Sequence, residues 1–176
     1  YNNIYIYIYI YYMSKVPKKY LPKYLSKKDK RIYSRELRKS KRLYKKGKYY
    51  SRKKISSFKS KPSRHVVKAR KLYSISSIKP SKQLAKKTGC SIKALKDIDK
   101  KGQGAYYSSG SRPNQSAHSW GIARLASAIT GGKSAAVDYH ILIKGCNNNS
   151  KALRLAKKAR KKHKYGQRKI PKTKLI

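Results

Sequence analysis

Acidic residues are nearly missing from this chain. Its 176 residues carry five Asp and Glu against 49 Lys and Arg, a formal net charge of +44. Paired-carboxylate acid–base chemistry therefore has almost nothing to be built from, and the chain is not expected to be an enzyme. Folding alone does not account for the imbalance, because like charges repel and oppose a compact state. A polyanionic partner does account for it: nucleic acid, an anionic membrane face or acidic proteins. Cysteine is scarce as well. Cys90 and Cys146 are too few for a disulfide framework or a zinc site, so no metal or cofactor is expected and a reducing intracellular compartment is. Phe and Trp occur once each, whereas Tyr occurs 17 times. Tyr packs at one end and tolerates water at the other, which suits a small core with large contact surfaces. No apolar run reaches the roughly 20 residues that a membrane-spanning helix takes.

The first stretch, "YNNIYIYIYIYY", has no charge at all. Ile4, Ile6, Ile8 and Ile10 alternate with Tyr5, Tyr7, Tyr9 and Tyr11, which is the period of a strand. It lacks the basic region that opens a signal peptide. A TA dinucleotide repeat read as TAT and ATA also encodes Tyr-Ile-Tyr-Ile, and Met13 begins "MSKVPKKYLPKYLSKKDK" like an ordinary basic start. Residues 1–12 are therefore read as translated upstream sequence. As native protein they would form an aggregation-prone edge strand that a partner must cover.

Charge divides the remainder. Residues 13–101 hold 33 Lys and Arg and residues 151–176 hold 12, while residues 102–150 hold four: Arg112, Arg124, Lys133 and Lys144. The expected fold is mainly α, a small helical domain with a Gly/Ser-rich loop, flanked by extended basic arms. The expected divisions are a basic Tyr-rich arm with one helix (13–78), a compact helical core (79–149) and a basic C-terminal helix and tail (150–176). In the arm, "SKKDKRIYSRELRKSKRLYKKG" predicts a helix capped by Ser26 and ended by Gly47. Ile32, Tyr33, Leu37 and Tyr44 give it a thin apolar stripe, so it needs a partner to be ordered. "YYSRKKISSFKSKPSRH" reads as a loop or extended arm, and "HVVKARKLYSISSI" fits helix and strand equally. "SKALRLAKKARKKHKYG" predicts a helix capped by Ser150, with Leu153, Ala156 and Ala159 on one face and Gly166 as its stop; "QRKIPKTKLI" follows as a tail. The residues expected to meet the polyanion are Lys27, Lys28, Arg31, Arg35, Arg38, Lys39, Arg42, Lys45, Lys46, Arg52, Lys53 and Lys54. Arg154, Lys157, Lys158, Arg160, Lys161 and Lys162 join them from the C-terminal helix. Tyr20, Tyr24, Tyr33, Tyr44, Tyr49 and Tyr50 stand among these cations and could stack on exposed bases. The plainer reading makes them the apolar positions of weakly amphipathic segments.

"PSKQLAKKTGCSIKALKDIDKKG" predicts a helical pair. Ser81 caps a first helix through Thr88, Gly89 makes a left-handed turn, and Ser91 caps a second helix that Gly102 ends. "LAKKTGCSIKAL" resembles the helix-turn-helix of bacterial repressors, and its second helix would present Ser91, Lys93, Lys96 and Lys100. Asp97 and Asp99 on that helix repel phosphate, and no Arg, Asn or Gln stands at its start for bidentate base contacts. A helical hairpin that reads no DNA is the preferred interpretation.

"GQGAYYSSGSRPNQSAHSWGIARLASAITGGKSAAVDYHIL" is the most distinctive stretch. Gly102, Gly104, Gly110 and Pro113 suggest a structured loop. A helix follows, capped by Asn114 or Ser116, with Trp120, Ala123, Ala126 and Ile129 as its packed face. Gly131 and Gly132 end it, and another helix is expected from a Ser134 cap to Gly145. "GGKS" ends like a phosphate-binding loop, but Ser127 stands where that motif needs Gly, and the motif follows a strand, not a helix. His118, His140, Asp138 and Cys146 match no metal-ligand spacing, and no nucleophile elbow is present. Arg112 and Arg124 lie in a segment that otherwise avoids charge, and Asp138 is its one acid. A buried Arg–Asp bridge is expected there; the functional alternative is an Arg that grips a phosphate or a partner's carboxylate. The candidate core motif is Tyr106, Tyr107, Arg112, Pro113, Trp120, Arg124, Gly131, Gly132 and Asp138.

Over residues 79–142 the sequence resembles a family of small basic proteins of unassigned function from large nucleocytoplasmic DNA viruses, such as the algal chloroviruses. The loop ending "SGSRP", the helix "SWGIARLAS" and the turn "TGGK" carry the resemblance. It implies a viral origin, a place in the virion, and the host cytoplasm or nucleus during assembly. Combined with the charge pattern, it leads to the expectation of a structural virion component, a minor capsid or cement protein. Its basic arms would contact capsid proteins, anionic membrane or DNA. The alternative is a genome-packaging protein that binds nucleic acid without reading sequence.

Overall fold

The computed structural model describes residue 16 and residues 20–166. The Tyr-Ile tract and the tail from residue 167 lie outside the described residues. Among the described residues the chain is mainly helical, with eight α-helices and no strand beyond one isolated bridge. No helix among them is long and apolar enough to cross a membrane. They fall into two units, residues 16–60 with 107–115, and residues 61–106 with 116–166.

In the first unit, α1 (Lys27–Lys45) starts where Ser26 Oγ accepts the Asp29 N–H at 3.0 Å. Asp29 in the first turn and Arg42 and Lys45 in the last complement the helix dipole. Val16, Leu21, Leu25, Tyr33, Leu37, Ile55 and Phe58 form one buried cluster. The described residues up to 60 thus pack on one another, and residues 61–78 belong to the second unit. The few apolar residues up to 60 are spread so thinly that they can be covered only when the chain folds back on α1.

Residues 107–115 complete this unit with hydrogen bonds. The Tyr33 hydroxyl and Arg52 Nη1 both donate to the Gly110 carbonyl, at 3.3 and 2.6 Å, and Ser40 Oγ donates to the Tyr107 carbonyl at 3.0 Å. Asn114 Oδ1 accepts the Ile55 N–H at 2.7 Å. Its Nδ2 donates to the Ile55 and Phe58 carbonyls, each at 2.8 Å. The amide side chain acts as a detached peptide group and satisfies a stretch that has neither helix nor strand. Glu36 Oε2 does the same from α1, accepting the Tyr50 hydroxyl at 2.9 Å and the Lys53 N–H at 2.8 Å.

The second unit begins with α2 (Arg64–Tyr73), which settles the helix-or-strand ambiguity and gives residues 13–78 two helices where one was expected. The Tyr73 hydroxyl donates to the Ile129 carbonyl at 2.6 Å. α3 (Lys82–Thr88) follows the Ser81 cap and ends at Gly89, in the left-handed region at φ 69°. Ser91 Oγ accepts the Ala94 N–H as α4 (Ile92–Ser109) begins. Contrary to expectation, α4 does not stop at Gly102, and the anticipated loop is helix as far as Ser109. Gly102 is a crossing point: a Cβ there would lie 2.6 Å from the Gly121 Cα and 2.9 Å from the Trp120 carbonyl oxygen.

α5 (Ala117–Ile129) opens on a Ser116–Ser119 capping box. It buries Gly121, Leu125, Ala126, Ser127, Ala128 and Ile129, while Trp120 and Ala123 are half-buried. The single helix expected after Gly132 is two, α6 (Lys133–Val137) and α7 (Tyr139–Gly145), broken at Asp138. Gly132 occupies the N-cap, and Ser134 lies inside α6 with its N–H directed to Ser127 Oγ at 3.3 Å. α8 (Lys151–Lys162) starts where Ser150 Oγ accepts the Leu153 N–H at 3.2 Å. α5 packs on α2, α6 and α8, and the shared core runs from Ala69 and Tyr73 through Leu84, Leu95, Ile98, Leu125, Leu142 and Leu153.

The two cysteines were not expected to bond, yet Cys90 and Cys146 form a disulfide across 56 residues. A one-step antiparallel bridge brings them together: the Ser91 N–H donates to the Gly145 carbonyl at 2.6 Å and the Asn147 N–H to the Gly89 carbonyl at 2.8 Å. Sequence spacing could not reveal this, since the pairing depends on α7 returning to the α3–α4 turn.

Reducing the disulfide, or replacing both cysteines with Ser, should lower unfolding stability by about 2–4 kcal/mol through the freed loop; thermal unfolding with and without reductant measures it. Gly102→Ala should also destabilise, by about 1–3 kcal/mol from overpacking, although Ala is favoured by about 1 kcal/mol inside a helix. Urea unfolding of the variant tests the sign.

Candidate polyanion interface

The 3.6-residue period of α1 separates its residues into two faces. Tyr33, Leu37 and Ser40 are buried on one. On the other, Lys28, Arg31, Arg35, Arg38, Arg42 and Lys45 recur at alternating steps of three and four and are all exposed. Such steps keep side chains in one row, here about 26 Å long at 1.5 Å per residue. Lys27, Lys39, Lys46, Lys53 and Lys54 are exposed beside it, and Lys39 Nζ lies 4.3 Å from the centre of the Tyr50 ring. α8 repeats the design in the second unit. Ala152, Leu153, Ala156 and Ala159 are buried, whereas Lys151, Arg154, Lys157, Lys158, Lys161 and Lys162 face solvent.

Two expected polyanion contacts serve the fold. Arg52 is half-buried, with Nη1 on the Gly110 carbonyl and its guanidinium 5.9 Å from the Tyr33 ring centre. Arg160 is half-buried against the rings of Tyr139 and Tyr165, at 4.5 and 5.0 Å, a cation–π clamp on the end of α8. Only their three-dimensional neighbours distinguish them from the exposed cations.

Four of the five acids are turned to partners within the protein. Asp29 accepts from Ser57 Oγ, Glu36 from Tyr50 and Lys53, and Asp99 from Gln103 Nε2 at 2.6 Å. Asp138 is the fourth, at 0 % exposure. Arg124 grips it with two parallel hydrogen bonds, Nε to Oδ2 at 2.7 Å and Nη2 to Oδ1 at 2.8 Å, and Lys101 Nζ reaches Oδ1 at 2.8 Å. Asp97 is exposed on α4 among Lys93, Lys96 and Lys100. Five carboxylates cannot offset 49 cations in any arrangement, and their inward placement leaves the exposed faces of α1 and α8 strongly positive.

The core motif does not converge on a single site. Tyr107, Arg112 and Pro113 belong to the first unit, and Tyr106, Trp120, Arg124, Gly131, Gly132 and Asp138 to the second. Tyr106 and Pro113 are buried, Tyr107 and Trp120 are half-buried, and Gly131-Gly132 is the turn between α5 and α6. Arg124 is the Arg of the buried bridge, and Arg112 is exposed. His118 and His140 are exposed and Cys146 is bonded to Cys90; among the described residues no three His, Cys, Asp or Glu cluster as metal ligands would. Sequence reasoning gave Asn114 only as a candidate helix cap, not as the partner of Ile55 and Phe58, and missed Glu36. The one available signal was that Glu36 is the sole Glu in the chain.

Burial pushes the Asp138 carboxyl upward, but the hydrogen bonds and charges of Arg124 and Lys101 outweigh it and hold the group below the usual carboxylate range. A carboxylate whose folded pKa is depressed adds stability above its unfolded value near 4 and loses it as pH falls through the folded value. Asp138→Asn should cost about 2–4 kcal/mol at neutral pH, since it leaves Arg124 partly buried without its partner. The gap between wild type and variant should close below about pH 4, which unfolding curves across that range would measure.

The family of unknown function DUF5824 matches residues 17–154, and the chain belongs to that family. No curated protein and no solved structure matches the chain.

Proposed function

We propose that this DUF5824 protein is a non-catalytic structural component of a large DNA virus that holds nucleic acid by its phosphates, without reading sequence. One observation carries the reading: α1 and α8 each spend one face on a core and present an unbroken row of cations on the other. Rows of this kind release counterions when they meet phosphate, and that term is indifferent to base identity. The helix-turn-helix alternative has less support. The exposed face of α4 mixes Asp97 with its lysines, and no Arg, Asn or Gln stands at its start for bidentate base contact.

The viral setting rests on the resemblance carried by "SGSRP", "SWGIARLAS" and "TGGK". The broader form of the reading, a minor capsid or cement protein, drew on arms that thread between shell proteins. Residues 20–60 fold together with residues 107–115, which favours the packaging form of the proposal, with DNA as the partner ahead of capsid proteins or an anionic membrane.

Binding to a duplex of arbitrary sequence should weaken steeply with salt. Engagement of the six-cation row on α1 corresponds to a slope of log K against log salt of about −5 on a duplex. The exposed triple substitution Arg31→Gln, Arg35→Gln, Arg38→Gln should flatten that slope by about 2–3 and weaken unrelated sequences alike. Fluorescence anisotropy across a salt series measures both, and a flat dependence for the wild type rejects the proposal.

A further inference from the structure

We infer that the first unit takes unpaired nucleic acid, with Tyr24 and Tyr49 as platforms on which bases stack beside the two ends of α1. The inference rests on the phosphate-binding reading above and adds the bases to it.

The six Tyr residues scattered among the cations of residues 20–50 separate into two kinds. Tyr33 is 1 % exposed and belongs to the core, and Tyr20, Tyr44 and Tyr50 are half-buried. Tyr24 and Tyr49 are 72 % and 73 % exposed. Rings left so far in water add little burial to the fold, yet both are held in place. Tyr24 lies nearly parallel to the buried Phe58 ring, with centres 5.7 Å apart and planes at 23°. Tyr49 rests tilted on two rings, Tyr107 at 5.0 Å and Tyr44 at 6.1 Å, which stack on each other at 5.7 Å. A ring packed on other rings favours one orientation, so less ordering is left to do when a base arrives. Tyr165, the exposed Tyr of the second unit, differs in that Arg160 already lies over it.

The charge beside each platform is of one kind. Lys23 and Lys27 flank Tyr24, and Lys45, Lys46 and Lys48 precede Tyr49; all are exposed. Tyr24 stands two residues before the Ser26 cap, and Tyr49 four residues after the last residue of α1. A helix of 19 residues separates them, about 28 Å at 1.5 Å per residue, and the cationic row runs along it. Basic grooves with aromatic platforms are what bind single strands without sequence preference, over sites of about 4–16 nucleotides. A duplex keeps its base faces stacked on one another, so it can use the row but not the rings.

The test compares a labelled single-stranded oligothymidylate with a duplex of the same length, about 20 nucleotides, using the full chain at fixed salt. The wild type should favour the single strand. Tyr24→Ala with Tyr49→Ala should weaken single-strand binding about tenfold or more while duplex affinity changes by less than about twofold. Tyr24→Phe with Tyr49→Phe keeps the rings and should retain the preference, and an unchanged circular dichroism spectrum shows that each variant folds. Equal loss on both ligands, or no loss on the single strand, overturns the inference. In the second case steep salt dependence of the wild type would leave the phosphate reading standing. A wild type that binds neither ligand removes both.

Discussion

Negative charge is the scarce material of this protein, and its placement shapes everything else. A chain with 49 cations and five acids gains nothing by dispersing carboxylates over its surface, where water and salt would screen them. Four are placed inward. Asp138 fastens α4 to α5 at the break between α6 and α7 through Lys101 and Arg124. Glu36 and Asp29 hold the stretch that returns along α1, through Lys53 and Ser57, and Asp99 holds Gln103 one turn along α4. The buried Asp138 and Glu36 work at low dielectric against fixed donors, where a charged hydrogen bond is strongest.

The same economy governs the helices. α1 and α8 have few apolar residues, and those few fall on one stripe, backed by Ser40 in α1 and by small Ala residues in α8. The Ala stripe lets α8 pack against α5, α6 and α7, while in both helices the lysine and arginine stems spread outward. Repulsion along each outer row opposes folding, and a polyanion laid along the row would reverse the sign of that term. Stability and binding are linked in this way through one set of charges.

Local signals in the sequence carried much of the fold. Ser26, Ser81, Ser91 and Ser150 cap the helices they were expected to cap, and Ser116 is the cap of the two residues proposed for α5, because a cap depends on neighbours three residues away. Gly102 misled because a glycine that stops a helix and one that lets two helices touch look alike until the second helix is placed; the same holds for Asp138, which breaks a helix so that Arg124 can reach it. The cationic row of α1 could be read from periodicity alone. The separation of Arg52 and Arg160 from that row could not, nor could the Cys90–Cys146 bond or the role of Asn114, because each depends on residues tens of positions distant that folding brings together.

The interleaving of the two units has a consequence for how the chain is made. The apolar residues from 16 to 58 leave the ribosome without Gly110 and Asn114, which follow their partners Tyr33 and Ile55 by 77 and 59 residues. This segment is therefore made before the residues it needs to settle. It waits, cationic and uncovered, until the stretch around Asn114 emerges, and in that interval a passing RNA or a chaperone would meet it before its own lining does.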